Sequence, residues 1–252
     1  MQLKLLGDYH THSNYSGDSK TPLEENIKKA IELGLQQIAV TDHGIKHQSN
    51  GMSKKKFFAQ VEEVKALQQK YPQIKIFQSI EADLLDRTGA LDLDADVLEC
   101  IDFIMMGYHM SSKPTSLASF FYFNLPTMLP KFKPSKAKME KNTTAYLKCM
   151  ERYPLSFINH INYKMPVLVR PIAQMAKQTG TLIELNGKRV LFSPQEMEIL
   201  LEENVDFICN SDAHTVSRVG DISIPMEFIQ KYSIPLERIK NINQLPALKI
   251  LK

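Results

Sequence analysis

Histidines and carboxylates recur at one kind of position along this chain. His10 closes the segment KLLGDYH and His12 follows it; His43 closes QQIAVTDH, His109 closes DFIMMGYH, His160 closes LSFINH and His214 closes VDFICNSDAH. Each segment is short and largely apolar and reads as a strand, so six of the seven histidines stand at or just past a strand C-terminus. Glu81 in IKIFQSIEAD and Asp212 in SDAH hold the same place. Neutral imidazoles mixed with carboxylates suit divalent zinc, manganese or iron, and no cysteine joins them to make a thiolate site. His10 and His12 lie two apart on an extended segment, which turns both rings to one side; Asp212 and His214 repeat that spacing. So many donors exceed what one tetrahedral ion needs, and more than one metal is expected.

One histidine at a strand end is weak evidence, since most such residues are ordinary polar side chains. Six in corresponding places weigh more, because independent placements would have to coincide. His47, in the loop HGIKHQ, is read as solvated, or near a substrate at best. Asp42 faces away from His43 and is expected to be structural or to support a ligand from behind. Asp8 shares the side of His10 but lies deeper, where it is expected to orient a ligand from behind.

To bring these residues together the chain must place strand ends side by side. Helices are expected at about 22–33, 54–70, 94–100, 140–152 and 167–178, with further ones starting near Pro194 and Pro225. In the first, Thr21 is the expected cap, Pro22 the first helical position and Glu24 the capping-box carboxylate, with Gly34 at the end. Residues 111–139, with Pro114, Pro126, Pro130 and Pro134, read as an irregular stretch, a candidate lid or subunit contact. Strand and helix alternate seven times, which argues for a parallel α/β sheet with helices outside. Regular alternation and length favour a closed, TIM-like barrel, whose strand C-termini converge on one mouth.

The 252 residues carry no linker, repeat or low-complexity segment, so 1–252 is expected to be a single domain. Hydrophobic content of 43% and charged content of 23% are ordinary for a globular chain. A net charge of +3 demands neither nucleic acid nor membrane as partner. Cys100, Cys149 and Cys209 are widely spaced in apolar stretches and read as buried free thiols of a reducing compartment. The start of the chain is too short and polar for a signal peptide, and no apolar run is long enough to span a bilayer, so a cytoplasmic location is expected.

In order along the chain stand HTH at 10–12 with Ser16-Gly17-Asp18, TDHG at 41–44, NH at 159–160 and SDAH at 211–214, with Glu81 and the GYH of His109 between. On these motifs the chain resembles the PHP family (polymerase and histidinol phosphatase) over nearly its whole length. The resemblance implies a distorted (β/α)7 TIM-like barrel and three divalent metals, zinc, manganese or iron. It implies that His10, His12, Glu81 and Asp212 hold the first. Glu81 bridges to a second, completed by His109 and His160, and His43, His214 and Asp18 hold the third. At Asp18 several relatives carry histidine instead.

The reaction so implied is hydrolysis of a small phosphate monoester by metal-activated water. The leaving alkoxide needs a proton or a metal; metal-bound water and Asp18 in its protonated form are the two sources of help, and the sequence does not choose between them. Glu81, His109, Asp212 and Arg218 form the expected catalytic set, and Arg218, Lys188 and Arg189, then Lys164, are the expected phosphate-binding cations. Glu184 and Asn186 in LIELN are expected behind the ligands or in the barrel interior. Histidinol-phosphate phosphatase is the runner-up, although MMGYHM around His109 departs from that enzyme's pattern. A proofreading subunit is disfavoured by the mild charge, and a non-catalytic metal-binding domain by the full ligand set. An amidohydrolase would set a lysine at a middle strand end, and none stands there.

Overall fold

In the computed structural model, which describes residues 3–121, 125 and 135–251, the short apolar runs become parallel strands buried on both faces. They are β1 (Gly7–Asp8), β2 (Gln37–Val40), β3 (Lys75–Gln78), β4 (Glu81–Asp83), β5 (Ile104–Gly107), β6 (Leu155–Ile158), β7 (Leu182–Asn186) and β8 (Phe207–Asn210). Sheet β1-β2-β3 and sheet β4-β5-β6-β7-β8 are each parallel throughout. Single parallel bridges stitch them at both seams, His43 to Glu81 and Thr11 to Ala213. The wall thus runs round as a distorted barrel of seven β/α units.

Two strands differ from expectation. The third breaks at Ser79–Ile80 into β3, which pairs with β2, and β4, which pairs with β5. Ser79 sits between both neighbours: its N–H donates to Val40 O at 2.9 Å and its hydroxyl to Phe103 O at 2.8 Å. The first strand is only Gly7–Asp8 rather than 4–10, because Leu6 N–H turns to Asn241 O (2.9 Å) and Tyr9 N–H to the side chain of Asn210 (3.0 Å).

The helices pack outside. They are α1 (Leu23–Glu32), α2 (Lys54–Lys70), α3 (Ala95–Leu98), α4 (Leu117–Ser119), α5 (Lys136–Arg152), α6 (Val169–Thr179), α7 (Pro194–Glu202) and α8 (Ser223–Lys231). Pro22 is the residue before α1, not its first, and no side chain caps that helix. Thr21 donates to His214 O instead, and Glu24 pairs with Lys70 and Tyr71. Helix α5 begins four residues earlier than the expected 140, because the Ser135 hydroxyl accepts from Lys138 N and caps it. The irregular stretch accordingly ends at 135; its positions 122–124 and 126–134 lie outside the described residues. Helix α7 carries a reciprocal capping box between Ser193 and Glu196 with Pro194 at its first position. Helix α8 starts two residues before Pro225, which is tolerated in a first turn where its missing N–H has no partner to lose.

Tyr9, Ala39, Phe77, Phe103, Met105, Phe157, Leu182 and Ile208 form one cluster contributed from around the barrel wall. They plug the barrel beneath its mouth, so the polar strand ends rest on a packed apolar floor. Cys149 and Cys209 are buried free thiols as expected; Cys100 is only partly covered. Among the described residues no helix is long and apolar enough to cross a membrane.

Candidate metal centre

Five imidazoles close a ring around one carboxylate. Ring centroids are 5.2 Å apart for His10–His12, 4.6 Å for His12–His43, 4.9 Å for His43–His109, 5.0 Å for His109–His160 and 6.0 Å for His160–His10. Glu81 stands at the centre. Its Oε1 lies 3.3 Å from His10 Nε2, 2.7 Å from His160 Nε2 and 3.6 Å from His109 Nε2. Its Oε2 lies 2.9 Å from His43 Nδ1 and 3.5 Å from His12 Nε2. The two oxygens of one side chain therefore face two different sets of nitrogen donors.

Asp212 and His214 close one flank. Asp212 Oδ1 is 3.7 Å from His10 Nε2 and 3.5 Å from His12 Nε2, and the His214 ring is 4.0 Å from His12. Asp18 Oδ2 reaches His43 Nε2 at 3.0 Å, His214 Nε2 at 3.3 Å and the Asn50 amide at 2.9 Å. It accepts from the Asn50 amide, and with two imidazoles beside it stands as a carboxylate and not as a proton donor. Among the described residues ligand atoms converge in four groups: His10–His12–Asp212, Glu81–His109–His160, His12–Asp18–His43–His214 and His43–His47–His109. His160 (φ 26°) and Asp212 (φ 51°) both hold left-handed backbone, a conformation that costs roughly 1–3 kcal/mol per non-glycine residue and concentrates at functional sites.

Behind the ring a layer of acceptors fixes ring orientation. Glu184 Oε1 accepts from His10 Nδ1 at 2.8 Å, which turns Nε2 toward the centre, where it would serve as the ligand atom for a cation. The other Glu184 oxygen accepts from His160 N–H (3.0 Å) and the Asn186 amide (2.9 Å). Asp83 does for His109 what Glu184 does for His10, at 2.6 Å. Its partnership was detectable in principle, since it lies two residues beyond Glu81 on the same face of β4. Asp83 N–H is in turn held by Asp92 at 2.7 Å, and the Asp92 carboxylate fills the space that a Cβ on Gly44 would occupy. The glycine of TDHG thus makes room for a support of His109. Asp42 accepts from Ser13, Ser16 and Gln60 and is structural, as expected. Asp8 touches no imidazole. It accepts from Ser211 and Gly220 backbone N–H and pins the SDAH turn.

Burial would drive protons onto Glu81 and Asp212, but the surrounding imidazoles reverse that and hold both carboxyls well below the ordinary range. At Asp18 burial is likewise outweighed by the hydrogen bonds from His214 and His43. His10 Nε2, His12 Nε2 and His43 Nδ1 are buried with no hydrogen-bond partner. His43 Nδ1 is close to Glu81 yet not aligned for a bond. Buried, unpartnered imidazole nitrogens that share an anionic centre fit divalent cations.

Above the ring opens a cavity of about 360 Å³, room for a small molecule only. Asp18, Glu81, His43, His109, His160, Asp212 and His214 line it, joined by Lys164, Lys188 and Arg189. Lys188 Nζ lies 3.1 Å from Asp212 Oδ1 and 2.8 Å from His214 Nδ1. Arg218 is placed elsewhere: its guanidinium is engaged by Asp221 and by Gly187 O (2.8 Å), bracing two loops outside the cavity lining. His47 is buried, not solvated, and it lines the cavity, the other place expected for it. Asn50 N–H donates to its Nδ1 (3.0 Å), so Nε2 carries the proton and donates to Ser111 (2.8 Å), while the ring stacks on His43 at 4.4 Å. Burial pushes its pKa down to about 4, with Asp83 opposing and His43 assisting.

A family model described as "PHP domain" matches residues 8–222. A probable phosphatase of Caldanaerobacter subterraneus subsp. tengcongensis is 26% identical over 250 residues, covering 96% of this chain and 89% of the relative. One of Clostridium novyi is 27% identical over 259 residues, covering 99% and 96%. Among solved structures, histidinol phosphate phosphatase from Lactococcus lactis, complexed with zinc, L-histidinol and phosphate, superimposes with TM-score 0.58 at 18% identity over 98% of each chain. A second, described as a putative histidinol phosphatase from Listeria monocytogenes, gives TM-score 0.56 at 16% identity, covering 85% of this chain and 97% of that one. These structural likenesses, at such identities, bear on the fold.

Proposed function

The chain belongs to the PHP domain family, and on that footing we propose that it is a metal-dependent phosphatase acting on a small phosphate monoester. The observation that carries this is Glu81, a buried carboxylate whose two oxygens face separate imidazole sets with orphaned nitrogens among them. The family's curated relatives named probable phosphatases support the reaction class. His10, His12, Glu81 and Asp212 hold one ion, Glu81, His109 and His160 a second, and His43, His214 and Asp18 a third.

Divalent ions bound there supply Lewis acidity to a water nucleophile and to the phosphoryl oxygens. The protein's own groups do the rest. Glu184 and Asp83 keep His10 and His109 in the tautomers that present Nε2. Lys188, beside Asp212, neutralises charge that grows on a phosphoryl oxygen. Arg189 and Lys164 add positive potential at the mouth. Arg218 has no place in this scheme except to hold the Gly187 loop next to Lys188. The apolar floor under the ring keeps the ligands dry from below.

Histidinol phosphate is a second reading of the substrate, favoured by the Lactococcus lactis neighbour's match across 98% of both chains. The experiment is a panel of phosphate monoesters, histidinol phosphate and nucleotides included, assayed with manganese, zinc and iron, on the wild type and on Glu81→Gln. Turnover of monoesters that Glu81→Gln loses by at least a hundredfold is the expected result. Equal turnover by the two proteins, or activity on amides alone, would defeat the assignment.

A further inference from the structure

The cavity's charges are unevenly distributed. Its lining carboxylates, Asp18, Glu81 and Asp212, all belong to the metal-ligand cluster. Its lining cations, Lys164, Lys188 and Arg189, are all on the β6 and β7 loops. Lys188 is engaged with Asp212 and His214. Lys164 and Arg189 are not: among the described residues neither side chain pairs with a carboxylate, and both flank Tyr163. The Arg189 guanidinium lies 4.6 Å from the Tyr163 ring centroid and Lys164 Nζ lies 5.8 Å from it. The same ring stands 5.4 Å from His160 and 6.3 Å from His109. One tyrosine therefore separates the ligand ring from two cations that the metal cluster does not use.

The loop that carries them is built to hold a shape. Asn162 (φ 71°) and Lys164 (φ 58°) are both left-handed. The Asn162 side chain accepts from Val167 N–H (3.1 Å) and donates to Glu196 (3.0 Å). Across the mouth, Lys188 and Arg189 N–H both donate to Asn186 Oδ1. The cations are presented by tied backbone on both sides.

We propose that Lys164 and Arg189 form a second anion subsite, and that the substrate is a phosphomonoester whose leaving group bears another anionic group, a phosphate or a carboxylate. This rests on the phosphatase reading above. Lys188 serves the scissile phosphate, and the Tyr163-backed pair takes the distal anion, with the planar guanidinium suited to two-pronged contact. A cationic leaving group such as histidinol, with its amine, meets repulsion there.

The test is a length-matched series: propyl phosphate, 3-phosphooxypropionate, propane-1,3-diyl bisphosphate and 3-aminopropyl phosphate, with the corresponding phosphonates measured for binding by calorimetry. Two partly screened charges at this range favour the anionic termini by roughly tenfold or more in kcat/KM and in phosphonate affinity, with the amine last. The carboxylate and bisphosphate arms tell the two anions apart. Arg189→Glu with Lys164→Ala should flatten or invert that order, and Arg189→Lys should keep it. High salt should compress it. Equal affinity for neutral and anionic phosphonates, preference for the amine, or an order unmoved by the double variant would overturn the subsite. Charge-ordered phosphonate binding without hydrolysis of any ester would retain the subsite and reject the phosphatase reading instead.

Discussion

Glu184 and His10 show how much of the centre depends on residues that never face its middle. By accepting from Nδ1, Glu184 turns His10 Nε2 toward the centre, where it would serve a cation. Glu184→Gln keeps the shape and loses the charge. It should weaken metal affinity about 10- to 100-fold, read by competition with a chelating dye; unchanged affinity would mean that the ring needs no such support. Gly44→Ala probes a longer route. Its methyl would overlap the Asp92 carboxylate that holds Asp83, and Asp83 orients His109. Overpacking of this kind costs roughly 1–3 kcal/mol, so a lower melting temperature together with lost activity is expected, and an unaffected variant would contradict the chain of contacts. At this scale the sequence was informative wherever a residue sat at a strand end: all nine proposed ligands meet at one place. It was poor for cations, because nothing local distinguishes a guanidinium aimed at the mouth from one tied to Asp221, as Arg218 is. It was half right about His47, which lines the cavity but is buried there by the Ser111–Ser112 segment folding over it, a long-range pairing invisible in HGIKHQ.

Elements place those residues, and their edges carry the differences. The third strand changes partners at Ser79–Ile80, and that is what swings Glu81 to the seam where it bridges to His43. The apolar pattern of IKIFQSIEAD runs on through the break, so periodicity alone could not locate it. The start of Pro194–Glu202 was legible from the proline at its first position, but the Ser135 cap was not read, which put the start of α5 four residues late. At α1 a tertiary contact took the expected cap, as His214 O claims Thr21. The intact capping box makes a direct prediction. Ser193→Ala should cost about 1 kcal/mol and lower the melting temperature by roughly 2–4 °C without changing metal content. A shift near zero would mean that the end of this helix is held by packing alone.

At the scale of the whole molecule, two parallel sheets joined by single bridges enclose an apolar floor, and the open rim is assigned to chemistry. Burial pushes the Cys149 and Cys209 thiols well above their ordinary range, while Cys100 is partly exposed. Near pH 8 one thiol per folded chain should react quickly with an aromatic disulfide reagent and two only on unfolding; three fast thiols would indicate a looser core. The barrel class followed from the alternation of strands and helices, but its division into two sheets depends on pairings between distant segments that no local pattern records. The central claim is that donors from across the whole chain converge to hold several ions. It is tested most directly by stripping the protein with chelator, reloading it with manganese, zinc or iron, removing free metal and measuring the metal-to-chain ratio by plasma mass spectrometry. The proposed ligand groups predict three ions per chain, falling by at least one in Glu81→Gln. Fewer than two ions in the fully loaded wild type would contradict the account.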